Sequence, residues 1–200
     1  MKRIHYYIAP PQISMSKNTL EWRRSFFEKI KLGDHLCSIY TNREHQFSAI
    51  IPFFKDGLHN NQKCIYIADE NSKNEVLLEL EKGGIDIDTF LNLHQLVILT
   101  KQETYLKDGP FDPKKMVDLL GEIEQSVTHE GYSGVRISGE MTCLCENATA
   151  HERLIEYESK LNGFFPHSKV TTICQYNENK FDSEILKEVL HTHPFVIIHG

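Results

Sequence analysis

A glycine-rich phosphate loop is missing from the place where the pattern of this sequence calls for one. The stretch SIYTNREHQF, Ser38–Phe47, stands where an apolar strand hands over to a helix, yet it holds neither glycine nor lysine. A loop of the form G-x-x-x-x-G-K-[ST] holds phosphates with backbone N–H groups and a lysine charge. Here Glu44 places a negative charge instead. The strand in RISGE ends in Ser138 and Gly139 rather than a magnesium-holding aspartate, with Glu140 just beyond. Two parts of a phosphoryl-transfer site are absent together, so ATP hydrolysis is not expected.

Other absences narrow the class further. The net charge is -6, which leaves no basic face of the kind that binds nucleic acid directly. No apolar run approaches the roughly 18 residues of a membrane span. The opening MKRIHYYIAPPQ is basic at first but lacks the apolar core of a signal peptide. Five cysteines, an odd number without scaffold-like spacing, fit free thiols in a reducing cytoplasm. No Ser/His/Asp or Cys/His set assembles from the spacing, so no enzyme and no cofactor are expected. There is no internal repeat and no low-complexity run.

What is present is a core and an alternation. At 40% hydrophobic residues, a chain of 200 suits one globular domain. Residues 1–32 read as an N-terminal extension: a proline-rich extended segment, then an amphipathic helix over 17–31 with Trp22, Phe26 and Ile30 on one stripe among basic residues. That helix either packs on the domain's flank or serves as a linker or homodimer contact. From Gly33 onward, strand and helix patterns alternate. The strands are HLCSIYT, KCIYIAD, QLVILT, GVRISGEM, KVTTICQYN and FVIIHG. Between them come a helix containing Pro52, one capped by Ser72 with Glu75, one opened by Asp112 and Pro113, one capped by Thr149 with Glu152, and one capped by Asp182. Such alternation predicts an α/β fold, a mainly parallel sheet with helices on both faces.

Six segments, GDHLCSIYTNREHQ, KCIYIAD, RISGEMT, LIEYESKLN, ICQYNENKF and VLHTHPFVI, run in order from about Gly33 to Gly200 and resemble the MEDS family. That family is the sensory domain of methanogen and methylotroph regulators. The resemblance implies a RecA/KaiC-like three-layer sandwich without nucleotide chemistry, over residues 33–200. It implies a small-molecule sensor in prokaryotic signal transduction, for simple hydrocarbon derivatives or methylated one-carbon compounds. One departure follows GEMT, where family members often carry an aromatic and this chain has Cys143-Leu144-Cys145. No DNA-reading or kinase motif is present, so the output is expected from a longer parent protein or a partner, a kinase or a transcription regulator. The alternatives are a protein-interaction scaffold without ligand, or a thiol- or metal-dependent sensor or enzyme.

Open parallel sheets bind ligands at the carboxyl ends of their strands. The expected ligand site there comprises Tyr40, Asn42, Glu44, Asp69, Arg136, Glu140, Thr142, Cys143 and Tyr176. Arg136 lies inside an apolar strand and needs a partner, for which Glu140 and Asp69 are the candidates. A RecA-like order makes the fifth, first and fourth strands neighbours in that sequence. Cys174, Cys37, Cys143 and Cys145, with His35 two residues from Cys37, are then candidates for a soft metal site. Buried apolar thiols are the plainer reading. Glu156 and Glu158 read as a solvated helix face, and most of the eleven histidines as surface or capping residues.

Overall fold

Alternation along the strands divides the core in two. In the strand KCIYIA, Cys64 and Tyr66 face one side while Ile65 and Ile67 face the other, as successive side chains in an extended chain must. The computed structural model describes residues 5–9, 27, 29–145 and 148–199. Among them a seven-stranded sheet is formed by β1 (His5–Ala9), β2 (His35–Tyr40), β3 (Lys63–Ala68), β4 (Leu96–Thr100), β5 (Val135–Glu140), β6 (Val170–Asn177) and β7 (Phe195–His199). Its spatial order is β1-β7-β2-β6-β5-β3-β4, with every neighbouring pair parallel.

Helices α1 (Arg43–His59), α2 (Lys73–Lys82) and α3 (Ile87–Asn92) cover one face, where Phe47, Phe53, Phe54, Val76 and Leu80 pack on Leu36, Tyr66 and Ile173. Helices α4 (Pro113–His129), α5 (Ala148–Phe164) and α6 (Ser183–Thr192) cover the other, where Met116, Leu120, Leu154, Leu161 and Val189 pack on Ile65, Ile137 and Cys174. The result is a three-layer α/β sandwich, as expected.

The local end signals work as anticipated at α2, where Ser72 and Glu75 form a reciprocal capping box, and at α4, where Asp112 accepts from the Lys115 N–H and Pro113 takes the first turn. At α5 they do not. Ala148 is already helical, so Thr149 sits inside the first turn rather than capping it.

One other expectation, the strand order, is corrected. β6 lies between β2 and β5, so the fifth expected strand separates the first from the fourth. Its register sets Cys174 opposite both Cys37 and Gly139. In addition, His5–Ala9 is a strand paired to β7 at the sheet edge, and Phe27 packs into the α1 side of the core. Most of the helix expected over 17–31 lies outside the described residues.

Candidate functional site

The strands' shared direction brings their carboxyl ends to one edge, and there the sheet gathers a closed polar network around Glu140. Glu140 is the last residue of β5 and is fully buried. Its Oε2 accepts three consecutive backbone N–H groups from the turn after β3: Asp69 at 2.7 Å, Glu70 at 2.5 Å and Asn71 at 3.1 Å. Its Oε1 accepts from the Tyr66 hydroxyl at 2.6 Å, Asn71 Nδ2 at 2.6 Å and Gln46 Nε2 at 3.3 Å. A run of adjacent backbone N–H groups is an anion seat. In this protein one of its own carboxylates fills it.

Around this anchor the network continues. Gln46, on α1, also donates to Gln175 Oε1 at 2.9 Å, and Gln175 donates to Ser138 Oγ at 2.8 Å. Over it, Glu70 accepts from Thr142 Oγ1, from Asn177 Nδ2 at 3.0 Å and from the Tyr40 hydroxyl at 3.4 Å. Burial and the charges of Glu70 and Glu140 push the Tyr40 phenol up, so it stays a donor. Asp69 pairs with Lys101 Nζ at 2.5 Å and accepts the Cys143 backbone N–H. Three carboxylates, Asp69, Glu70 and Glu140, therefore converge on this edge, with Lys101 as a counter-charge on Asp69. Asn42 spends its side chain on capping α1, accepting from the His45 N–H at 2.9 Å, and Glu44 stands exposed in the next turn.

Of the residues expected to form the site, the structure brings Tyr40, Asp69, Glu140, Thr142 and Cys143 together, with Asn42 and Glu44 on the adjoining helix start. It does not bring Arg136 or Tyr176. Arg136 lies toward the opposite end of β5 and turns to the α1 side. There it bonds Gln62 Oε1 at 2.6 Å, the Phe53 carbonyl at 2.7 Å and the Asp56 carboxylate. Gly57 makes this possible, since a Cβ there would stand 2.6 Å from Arg136 Cδ. Asp56, rather than Glu140 or Asp69, is its partner.

The segment-by-segment resemblance now has its counterpart in a family comparison. A model of the family described as MEDS, "MEthanogen/methylotroph, DcmR Sensory domain", matches residues 34–194. The chain belongs to the MEDS family. This MEDS chain is 23% identical over 165 residues to the "Transcriptional repressor DcmR" of Methylorubrum extorquens (strain DSM 6343 / CIP 106787 / DM4). That match takes in 82% of this chain but only 59% of the relative's length. Among solved structures, the flagellar accessory protein FlaH from Methanocaldococcus jannaschii superposes with a TM-score of 0.60 at 12% identity, over 96% of this chain and 80% of that one. The fold is accordingly the RecA-like three-layer sandwich.

A second polar cluster in the MEDS domain lies on the other face of the sheet, and Tyr176 belongs to it. Tyr176 donates to Glu158 Oε1 at 2.6 Å. Glu158 is fully buried rather than solvated, because it sits four residues after Leu154 and three before Leu161 on the inward stripe of α5. Its Oε2 lies 3.0 Å from His35 Nε2 and 3.1 Å from His193 Nε2. Burial opposes the Glu158 charge, but His193 and His35 outweigh it and hold the carboxyl below the usual range. For His35, burial and the neighbouring His193 bring the imidazole down to about 4.

Of the residues weighed as metal ligands, Cys174 and His35 join this cluster. Cys37 is Cys174's cross-strand neighbour, and burial raises both thiols. Cys143 and Cys145 lie apart, in and just after the turn Thr142–Leu144. Gln46, Tyr66, Glu70, Asn71, Gln175 and His193 go unread in the sequence, and Glu158 reads there as solvated. Periodicity marks Glu158, since it shares the spacing of Leu154 and Leu161. Nothing local marks the others.

Proposed function

We propose that this MEDS chain is the small-molecule sensory module of a prokaryotic regulator. It works in the cytoplasm on a simple hydrocarbon derivative or methylated one-carbon compound, without being an enzyme. The observation that carries this reading is the filled anion seat. With Glu140 on the three N–H groups of residues 69–71 and Glu70 across the edge, a triphosphate meets carboxylates where it needs donors. The fold's default binding edge is thus adapted to something other than a nucleotide.

A sensor needs two states that a ligand distinguishes. The turn 69–71 is tied to β5 by Glu140 and leads directly into α2, so a guest that competes for its donors shifts that helix. A neutral or cationic guest fits beside Tyr40, Glu70, Thr142 and Asn177 better than an anion does. Support for the output comes from the related transcriptional repressor, whose length this chain only partly spans. We infer that a transcription regulator or a kinase, within a longer parent or as a partner, reads the change.

The test is a thermal-shift and calorimetric screen with methanol, methylamine, dichloromethane and magnesium-ATP as probes. Saturable binding of a one-carbon probe, lost in Thr142→Val, and no binding of magnesium-ATP are expected. Micromolar ATP affinity overturns the reading, and a chain that answers to no small molecule turns it toward a protein-interaction scaffold.

A further inference from the structure

The cluster on the α5 side has a feature that a buried ion pair does not explain. His35 opens β2, Cys174 lies mid-strand in β6, Glu158 projects from α5, and His193 stands between α6 and β7. None is more than 5% exposed, and their donor atoms all lie within 4.8 Å of one another. Cys174 Sγ is 3.6 Å from His35 Nε2 and 4.0 Å from Glu158 Oε2.

The decisive member is His193. Its Nδ1 lies 2.8 Å from the Val189 carbonyl, a contact only an N–H can make. In the neutral ring this leaves Nε2 as a bare lone pair. That Nε2 is buried without a hydrogen-bond partner, although Glu158 Oε2 is only 3.1 Å away, so the carboxylate stands off the line of a ring N–H. In that tautomer two acceptors face each other at close range, and a proton or a cation between them relieves the contact. An imidazole whose far nitrogen is fixed on a backbone carbonyl and whose near nitrogen points into a carboxylate, a thiol and a second imidazole is the arrangement a metal ligand shows. Tyr176 completes it by holding Oε1, which leaves Oε2 for the centre.

We propose that His35, Glu158, Cys174 and His193 form a closed four-ligand site for a borderline-soft divalent metal ion of the zinc class. Two imidazole nitrogens, one sulfur and one carboxylate oxygen are a donor set suited to that ion. A tetrahedral ion with nitrogen at about 2.0 Å and sulfur at about 2.3 Å sets its donors roughly 3.3–3.6 Å apart, which falls within the spread of separations found here. On binding, the Cys174 thiol releases its proton to solvent as the sulfur–metal bond forms, and the ion's charge offsets the buried carboxylate. With four protein ligands no position is left for a substrate. The ion would tie β2, β6, α5 and the approach to β7 together, a structural or gating role rather than a catalytic one.

The full chain, purified without chelator, is analysed for metal by mass spectrometry of the element. Chelator-stripped protein is then titrated with cobalt(II) and with zinc(II). About one metal ion per chain is expected, with cobalt giving tetrahedral visible bands and a thiolate-to-metal charge-transfer band. Cys145→Ala, which alters the more exposed thiol, keeps that band, and Cys174→Ser loses it. If the serine variant does not fold, the wild-type titration decides alone. A folded wild-type chain that carries no stoichiometric metal and shows no thiolate band on cobalt addition overturns the proposal. So does a thiolate band that vanishes in Cys145→Ala.

Discussion

Tyr66, inside β3, and Glu140, the last residue of the neighbouring β5, meet where the phenol of the first donates to the carboxylate of the second at 2.6 Å, both fully buried. The contact joins β3 to β5 near the carboxyl ends of the strands and orients the oxygen that Gln46 and Asn71 also use. Burial and the adjacent Glu140 charge push the Tyr66 phenol well above its ordinary value, so it remains a donor at any working pH.

Replacing Glu140 by Gln turns one acceptor oxygen into an amide that faces donors on either side. A loss of about 2–3 kcal/mol is expected, since hydrogen bonds to a buried charged group are the costly ones to break. Tyr66→Phe removes one donor among six contacts and should cost about 1–2 kcal/mol. Urea unfolding measures both, and a Glu140→Gln chain as stable as wild type would remove Glu140 as the anchor of the edge.

Asp56→Ala strips the Arg136 guanidinium of its carboxylate while leaving it almost wholly buried. Breaking such a pair from one side costs about 3–5 kcal/mol, partly relieved here because Asp56 itself is 22% exposed. Arg136→Met, which removes the charge as well, should cost less. Equal losses in the two variants would mean that packing, not the unpaired charge, sets the effect.

None of the five cysteines is in a disulfide, and Cys145 alone among them is not buried. Iodoacetamide on the native chain should therefore label Cys145 first. Cys37, Cys64, Cys143 and Cys174, all buried, should react on the timescale of unfolding, and burial also keeps Cys37, Cys64 and Cys174 protonated. Rapid labelling of Cys37 in native protein, read by peptide mass mapping, would contradict the packing of the sheet.

Acid should loosen the start of α2 and the short turn Lys101–Glu103 after β4. Hydrogen bonding by the Ser72 backbone N–H, with Arg43, lowers Glu75 from 4.5 to about 2. The Lys73 side chain, with the Thr100 backbone N–H, does the same for Glu103. A depressed folded-state pKa gives stability that is present above pH 4.5 and lost as pH falls toward 2. The difference in Tm between wild type and a Glu75→Gln/Glu103→Gln chain should shrink across that window. A difference that stays constant would show that the carboxylates are not the source.

Removal of residues 1–32 is expected to leave a cooperatively folding domain of lower Tm. Without β1, the backbone edge of β7 is bare, and bare edges recruit further strands. Size-exclusion chromatography should then show self-association of the shortened chain. If it is monodisperse and equally stable, the first strand contributes nothing to the sheet.

Local chemistry announced itself in the chain. Ser72 with Glu75 and Asp112 with Pro113 act within four residues, so their roles could be read before folding. The alternation in KCIYIAD and the inward stripe Leu154, Tyr157 and Leu161 placed sheet and helix faces correctly, because periodicity is a property of one element alone. It also carried Glu140 to the right edge of the sheet. What no stretch of residues contained was the neighbour of each strand and the partner of each buried charge. β6 enters between β2 and β5, Arg136 meets Asp56 across 80 residues, and Glu158 of α5 closes on His35 of β2 and on His193 between α6 and β7. Those pairings follow from how the layers stack. Burying a charge is tolerable only where distant donors or counter-charges converge on it, and that convergence exists in the packed fold and nowhere along the chain.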